Sequence, residues 1–188
     1  MAGLGTLYFV VGASGAGKDT LVGEALKRLP YLHKVRRVVT RPAGPDDDHE
    51  PMEPEAFLAR RRRGGFVLSW DANGNRYGVT IDMLERLRAG QDCILVGSRA
   101  IVDEVRRMHE PVIIVHVTAP LDVIARRLRE RGREDEMMIQ GRMGRAGRGA
   151  PRGPDVATVD NGGALEDSVP LFLAALETSP CPTRSLAP

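Results

Sequence analysis

Thr6-Leu7-Tyr8-Phe9-Val10-Val11-Gly12-Ala13-Ser14-Gly15-Ala16-Gly17-Lys18-Asp19-Thr20 decides the fold of this 188-residue chain. Thr6–Val11 is an apolar run of strand length. Gly12–Gly17 is a glycine loop, and Lys18–Leu29 reads as a helix stopped by Pro30. A glycine loop ending in lysine, between a strand and a helix, is a P-loop. Its glycines let the backbone curl so that N–H groups face phosphate oxygens. The helix N-terminus adds its positive end. Lys18 brings a mobile charge for the β- and γ-phosphates. Gly12, Ala13, Ser14, Gly15, Ala16, Gly17, Lys18, Asp19 and Thr20 are therefore the expected ATP site. One member is irregular. Where such loops carry Ser or Thr after the lysine to hold Mg²⁺, this chain has Asp19, then Thr20. A carboxylate is an adequate Mg²⁺ ligand; the competing reading is that Asp19 only complements the helix N-terminus. The runs Cys93–Val96 and Val112–Val117 end in Gly97-Ser98-Arg99 and Thr118, without an acid to orient a metal. Asp19 is thus the candidate metal residue.

Further strands and helices alternate outward from this loop. Lys34–Thr40, Phe66–Trp70, Cys93–Val96, Val112–Val117 and Val156–Val159 read as strands. Pro54–Arg63, Ile81–Ala89, Ile101–His109, Leu121–Arg131 and Ala164–Leu176 read as helices. Such alternation predicts an α/β fold, a P-loop NTPase-type parallel sheet with helices on both faces. Residues 42–53 read as loop and Asn73-Gly74 as a turn. The stretch 42–80 interrupts the alternation and is the candidate insert for an acceptor. Residues 133–153, rich in glycine and arginine, are the candidate lid. One kinase domain is expected over 1–178, with a disordered tail over 179–188.

Composition narrows the function. Hydrophobic residues make up 42% and no apolar run is long enough to span a bilayer. Leu7–Val11 lacks a basic leader, so a cytoplasmic location is expected and a membrane role is not. Aromatic residues are 4%, which leaves no stacking platform for nucleic acid. Cys93 and Cys181 lack metal-ligand spacing, and Cys93 reads as a buried thiol. Oligomeric state is not set by any feature. Of 27 basic residues only Lys18, Lys27 and Lys34 are lysines. Gene base composition accounts for such a bias as readily as chemistry does, but arginine also grips phosphate bidentately. Position separates the two. Nine arginines crowd residues 126–152 against four acids. Arg127 and Arg131 at the lid's entrance, and Arg142 and Arg145 at its exit, are the candidates to surround the moving phosphoryl group, with Arg127, Arg131 and Arg142 placed beside Lys18 as catalytic. Arg60–Arg63 reads as exposed helix surface.

Gly12–Lys18, Thr40-Arg41-Pro42 and Phe66–Trp70 followed by Gly74-Asn75-Arg76-Tyr77-Gly78 together resemble the guanylate kinase superfamily. That resemblance implies that Arg41 and Tyr77 hold an acceptor's phosphate. The family's second segment arginine falls on Gly44. Its guanine-reading glutamate falls on Ser69, which cannot meet the donors of a guanine edge as a carboxylate does. The strings Gly12–Asp19, Asp48-His49-Glu50, Ser69–Gly78, Gly97-Ser98-Arg99 and Asp160-Asn161-Gly162 are more similar to a narrower group, the ribose 1,5-bisphosphate phosphokinases of bacterial phosphonate catabolism. What this implies is ATP as donor, a sugar bisphosphate as acceptor, and 5-phospho-α-D-ribose 1-diphosphate and ADP as products. Arg41, Ser69, Arg76, Tyr77 and Arg99 are the implied acceptor residues. The alternatives are a nucleoside monophosphate kinase of guanylate kinase type and a nucleotide-binding regulatory module. His49, amid acids, reads as structural or solvated more readily than as a substrate contact.

Overall fold

The structure is a computed structural model that describes residues 3–44, 47–131, 140–141, 144 and 149–177. The chain forms β1 (Leu7–Gly12), α1 (Lys18–Arg28), β2 (His33–Lys34), β3 (Arg37–Val39), β4 (His49–Pro51), α2 (Pro54–Arg62), β5 (Leu68–Ala72) and β6 (Asn75–Val79). There follow α3 (Asp82–Arg88), β7 (Cys93–Val96), α4 (Val102–Met108), β8 (Val112–Thr118), α5 (Leu121–Arg131), β9 (Val156–Asp160) and α6 (Leu165–Glu177). Five strands make a parallel sheet in the order β2-β7-β1-β8-β9. The other four make a small mixed sheet in the order β4-β3-β6-β5.

The large sheet is apolar on both faces because helices cover both. On one face Leu7, Phe9, Leu95 and Ile114 meet Met83 and Leu87 of α3 and Val102 and Val105 of α4. On the other, Val10, Ile94, Ile113 and Val115 meet Leu21, Val22 and Ala25 of α1 and Val169, Phe172 and Leu176 of α6. Strand alternation sorts these residues: odd positions of β1 face α3 and α4, while Val10 faces α1 and α6. The small sheet joins the first of these cores through Leu68, Trp70 and Val79. It is thereby held against the large sheet on the α3–α4 side.

Two elements differ from the sequence reading. The run Lys34–Thr40 is not one strand but two, in different sheets. The Val35 N–H still donates to the Ile94 carbonyl at 2.9 Å, which keeps it in line with β2, whereas Arg37 already pairs with His49 of β4. Arg36 alone makes the crossing. Val35, Val38, Val39 and Thr40 suit a strand on either side of the crossing, which hides such a jump, because both partners want the same residue types. The stretch 42–53 also contains a strand, β4, pairing in parallel with β3. Its polar residues carry no alternation to announce it. The Asn73-Gly74 turn, with both residues at positive φ, closes the β5–β6 hairpin as expected.

Candidate active site

The loop after β1 lies at the carboxyl ends of the parallel strands, where α/β sheets bind ligands. Gly12 has φ 150°, and a Cβ there would lie 2.2 Å from the Val117 carbonyl oxygen of the neighbouring strand. Gly17 has φ 87°, and its Cβ would lie 2.1 Å from Asn161 Nδ2. Both positions require glycine, for conformation and for space. Lys18 folds back over the loop, its Nζ donating to the carbonyls of Gly12 at 3.0 Å and Ala13 at 2.7 Å. A cleft of about 740 Å³ opens above, lined among others by Ser14, Gly15, Gly17, Lys18, Asp19 and Thr20. Arg127 and Glu130 of α5, with Asn161 and Leu165, form another part of its wall.

Asn161 ties three of these parts together. Its Nδ2 donates to the Ala16 carbonyl at 2.8 Å, its backbone N–H donates to Thr118 O at 2.8 Å, and its own carbonyl accepts from Arg127 Nη1 at 2.8 Å. The residue is 3% exposed, yet its Oδ1 has no hydrogen-bond partner. Below the loop, His116 of β8 is buried and electrostatically close to Arg99 and Lys18. Burial first, then these two cations, hold its pKa below the ordinary 6.5, so the imidazole is neutral near pH 7.

The small sheet presents the facing wall. Arg41 makes a bidentate pair with Asp47, at 2.6 and 3.0 Å, and Asp47 also accepts from the Gly44 N–H at 3.0 Å. The Asp47 hydrogen bonds hold the Arg41 guanidinium above its usual pKa, against desolvation, with Asp47, Tyr77 and Asp19 adding Coulomb attraction. Asp47 reaches the same cleft as the glycine loop. Tyr77 stacks on Trp70 with ring centroids 5.3 Å apart and planes 4° from parallel. Arg37 completes this wall: its Cζ lies 6.0 Å from the Tyr77 centroid and its Nη2 lies 3.7 Å from Asp19 Oδ1.

A glycine loop with its lysine thus faces a wall of arginines and a tyrosine across one cleft. No family model matches the chain. The bifunctional ribose 1,5-bisphosphokinase-thymidine phosphorylase of Cupriavidus necator is 39% identical over 181 residues, which is 95% of this chain but 30% of that protein. The chain therefore spans under a third of that relative. The ribose 1,5-bisphosphate phosphokinase PhnN of Pseudofrankia inefficax is 41% identical over 166 residues, 88% of this chain and 87% of that protein. The chain belongs to the ribose 1,5-bisphosphate phosphokinase family. Among solved structures, guanylate kinase from Anaplasma phagocytophilum superposes with a TM-score of 0.66 at 17% identity, over 93% of this chain and 86% of that one. The phosphokinase fold is thus guanylate kinase-like.

The remaining residues expected of a ribose 1,5-bisphosphate phosphokinase fall in different places. Lys18, Asp19, Thr20 and Arg127 share the cleft. Arg41 and Tyr77 meet on the opposing wall. Ser69 and Arg76 do not join them directly. Ser69 pairs with Gly78, and Arg76 with Asp71, whereas Tyr77 pairs with Trp70. Alternation puts Ser69 and Arg76 on the other face of the small sheet, the side where α2 lies. There Arg76 Nε is 3.8 Å from Asp71 and Phe66 stacks on Phe57 of α2. Arg99 follows β7 in a 3₁₀ turn, and desolvation lowers its pKa. The Arg131 side chain, Arg142 and Arg145 lie outside the described residues, as does most of 133–153 and the tail over 179–188. Arg60–Arg63 extends along α2 and beyond, with Arg60 over the Phe66 ring at 5.0 Å. His49 is buried, its Nε2 3.1 Å from the Arg41 carbonyl, so it braces the segment that carries Arg41.

Four residues in or beside this cleft were not among the candidates read from the sequence. Arg37 and Asp47 lay among many charges, His116 inside a β-branched strand, and Asn161 stood only in the string Asp160-Asn161-Gly162 that carries the resemblance. The one available signal was His116, a lone imidazole within an otherwise β-branched strand.

Proposed function

We propose that this protein transfers the γ-phosphoryl group of ATP to the 1-phosphate of ribose 1,5-bisphosphate, forming 5-phospho-α-D-ribose 1-diphosphate and ADP. The observation that supports it best is the facing pair of walls, a complete P-loop opposite Arg41 and Tyr77.

The chemistry asks little of the protein by way of proton transfer. A phosphate monoester has its second pKa at about 6, so the acceptor is largely a dianion near pH 7. Its oxygen bonds to the γ-phosphorus as the bond from that phosphorus to the β-bridging oxygen breaks. ADP carries away the electron pair, and no proton moves. The obstacle is the approach of two anions. Lys18 and the loop N–H groups hold the ATP side, and Arg127 stands over it from α5. Arg41 and Tyr77 align the acceptor. A phosphate binding to Arg41 must replace or join Asp47.

Mg²⁺ suits the same site. Asp19 is an exposed carboxylate on the first turn of α1, beside Lys18. A Mg²⁺ ion needs only one or two protein carboxylates when phosphates supply the rest. Among the described residues no group of three or more His, Cys, Asp or Glu side chains could hold a metal. When bound, the ion would neutralise charge on the β- and γ-oxygens. Among the described residues no helix is long and apolar enough to cross a membrane. A cytoplasmic location, where ATP is abundant, belongs to this reading.

The test is a panel. The protein is incubated with ATP and Mg²⁺ against ribose phosphates and nucleoside monophosphates, and ADP is measured. Turnover with ribose 1,5-bisphosphate, far above every nucleotide, is the expected result. A preference for GMP or another nucleotide overturns the acceptor assignment. No ADP with any acceptor would favour a regulatory module.

A further inference from the structure

Arg37 has no place in the motifs that define the loop or the acceptor segment, yet it stands at the seam between the two sheets. Its side chain is 21% exposed. Nη1 donates to the Val96 carbonyl, at the end of β7, at 3.2 Å. Nη2 lies 3.7 Å from Asp19 Oδ1, beyond hydrogen-bond length, and that carboxylate is 64% exposed. The guanidinium sits over Tyr77 at 6.0 Å. A guanidinium is a planar fork of N–H donors that matches a carboxylate or phosphate bidentately. Arg41 has such a match in Asp47; Arg37 has no bidentate carboxylate partner, only the Val96 carbonyl at hydrogen-bond distance, Asp19 beyond it and an electrostatic attraction to Asp48.

We infer that Arg37 is an acceptor-binding residue that grips the attacking phosphate monoester, exchanging its loose contact with Asp19 for phosphate oxygens. Three observations converge on this. Asp19 adjoins Lys18, so an anion taken up by Arg37 arrives beside the group being transferred. Tyr77 lies under the guanidinium, so the two side chains address one spot. The Val96 carbonyl anchors the guanidinium at Nη1, which fixes its plane and leaves the Nη2 edge turned to the loop. The exchange also releases Asp19 towards the donor side, so acceptor binding and the Asp19 carboxylate are linked. The inference deepens the kinase reading and rests on it for the acceptor, but only the phosphate monoester, common to sugars and nucleotides, is required.

The test compares wild type with Arg37→Met and Arg37→Lys, each checked for folding by circular dichroism. The KM of whichever acceptor the panel selects is measured at saturating ATP, and the ATP dissociation constant is measured without acceptor. Arg37→Met should raise the acceptor KM about 10- to 100-fold, the range of a charge-assisted hydrogen bond, with ATP affinity changed less than about twofold. Arg37→Lys should recover part of that loss, since charge returns without the fork. An unchanged acceptor KM in both variants, or an equal loss of ATP affinity, overturns the inference. If Arg37→Met does not fold, Arg37→Lys decides by the same criterion. If wild type turns over no acceptor, the kinase reading fails, and calorimetric titration of ribose 1,5-bisphosphate into wild type and variant decides the inference: weaker binding by the variant supports it, equal binding or none to wild type sinks it.

Discussion

On the proposed reading, the two walls of the cleft recognise phosphate by different means. The large-sheet wall uses backbone: Gly12 and Gly17 free the chain to curl, and the N–H groups and helix end that result bind any triphosphate. The small-sheet wall uses side chains, Arg37, Arg41 and Tyr77, projected from short strands. The first wall is local in sequence and rigid, set between apolar cores on both faces of β1. The second is assembled from strands far apart in sequence and, besides the apolar contacts of Leu68, Trp70 and Val79, is braced by charge. Lys34 contacts Asp48 at 2.7 Å, Arg41 pairs with Asp47, and Arg76 lies near Asp71. A backbone site conserves its chemistry when side chains drift, whereas a side-chain site can be re-specified by a few substitutions. Donor use should therefore be common to the fold, and acceptor choice should belong to the second wall.

Breaking the first wall should cost most. Lys18→Ala should lower kcat by roughly 100- to 1000-fold, the effect of removing one transition-state charge donor, while leaving the circular dichroism spectrum unchanged. Loss of secondary structure instead would make Lys18 a structural residue. Damage to the second wall should be selective. Arg41→Ala should raise the acceptor KM by about 10-fold or more and leave ATP affinity nearly constant, since a charged hydrogen bond to one substrate is lost. Equal loss for both substrates would erase the division between the walls. Asp19→Asn, at their junction, should shift the Mg²⁺ concentration for half activity upward by about 10-fold, without altering the fold. An unmoved Mg²⁺ titration would reduce Asp19 to a helix-end charge.

The smallest effect concerns pH. His116 has a folded pKa below its unfolded 6.5, through burial first and then Arg99 and Lys18. Between those values the unfolded chain binds more protons, so stability should fall as pH drops through about 6.5 and level off below the folded pKa. His116→Asn should flatten that slope in denaturation series. His33, also shifted down by burial and by Arg86, supplies a residual slope of the same sign. A variant slope identical to wild type would move the effect entirely to His33 and other groups.

Much of the first wall was legible in the sequence because its determinants are contiguous. Strand, glycines, lysine and helix follow one another over Leu7–Arg28, and β8 announced itself by a run β-branched at every position but His116. The second wall was legible only in part. Tyr77 and Arg41 stood in recognisable strings, but the role of Arg37 depends on β3 pairing with β6 and on β2 ending one residue before the crossing. Neither is a property of the residues nearby. Asp47 was hidden for another reason: in a run of acids, only its geometry against Arg41 and the Gly44 N–H singles it out.

The one-residue passage at Arg36 makes spacing itself a determinant of what the enzyme accepts. Side chains on a strand alternate faces, so inserting a single residue between Val35 and Arg37 would turn Arg37 away from the loop and present its neighbours Arg36 and Val38 in its stead, unless the extra residue bulged out. Deleting one would do the same. Substitution can tune the acceptor wall, but a change of chain length at this point would rewrite it. Insertions that leave the phosphate loop intact should therefore be tolerated at the Asn73-Gly74 turn and rejected at Arg36.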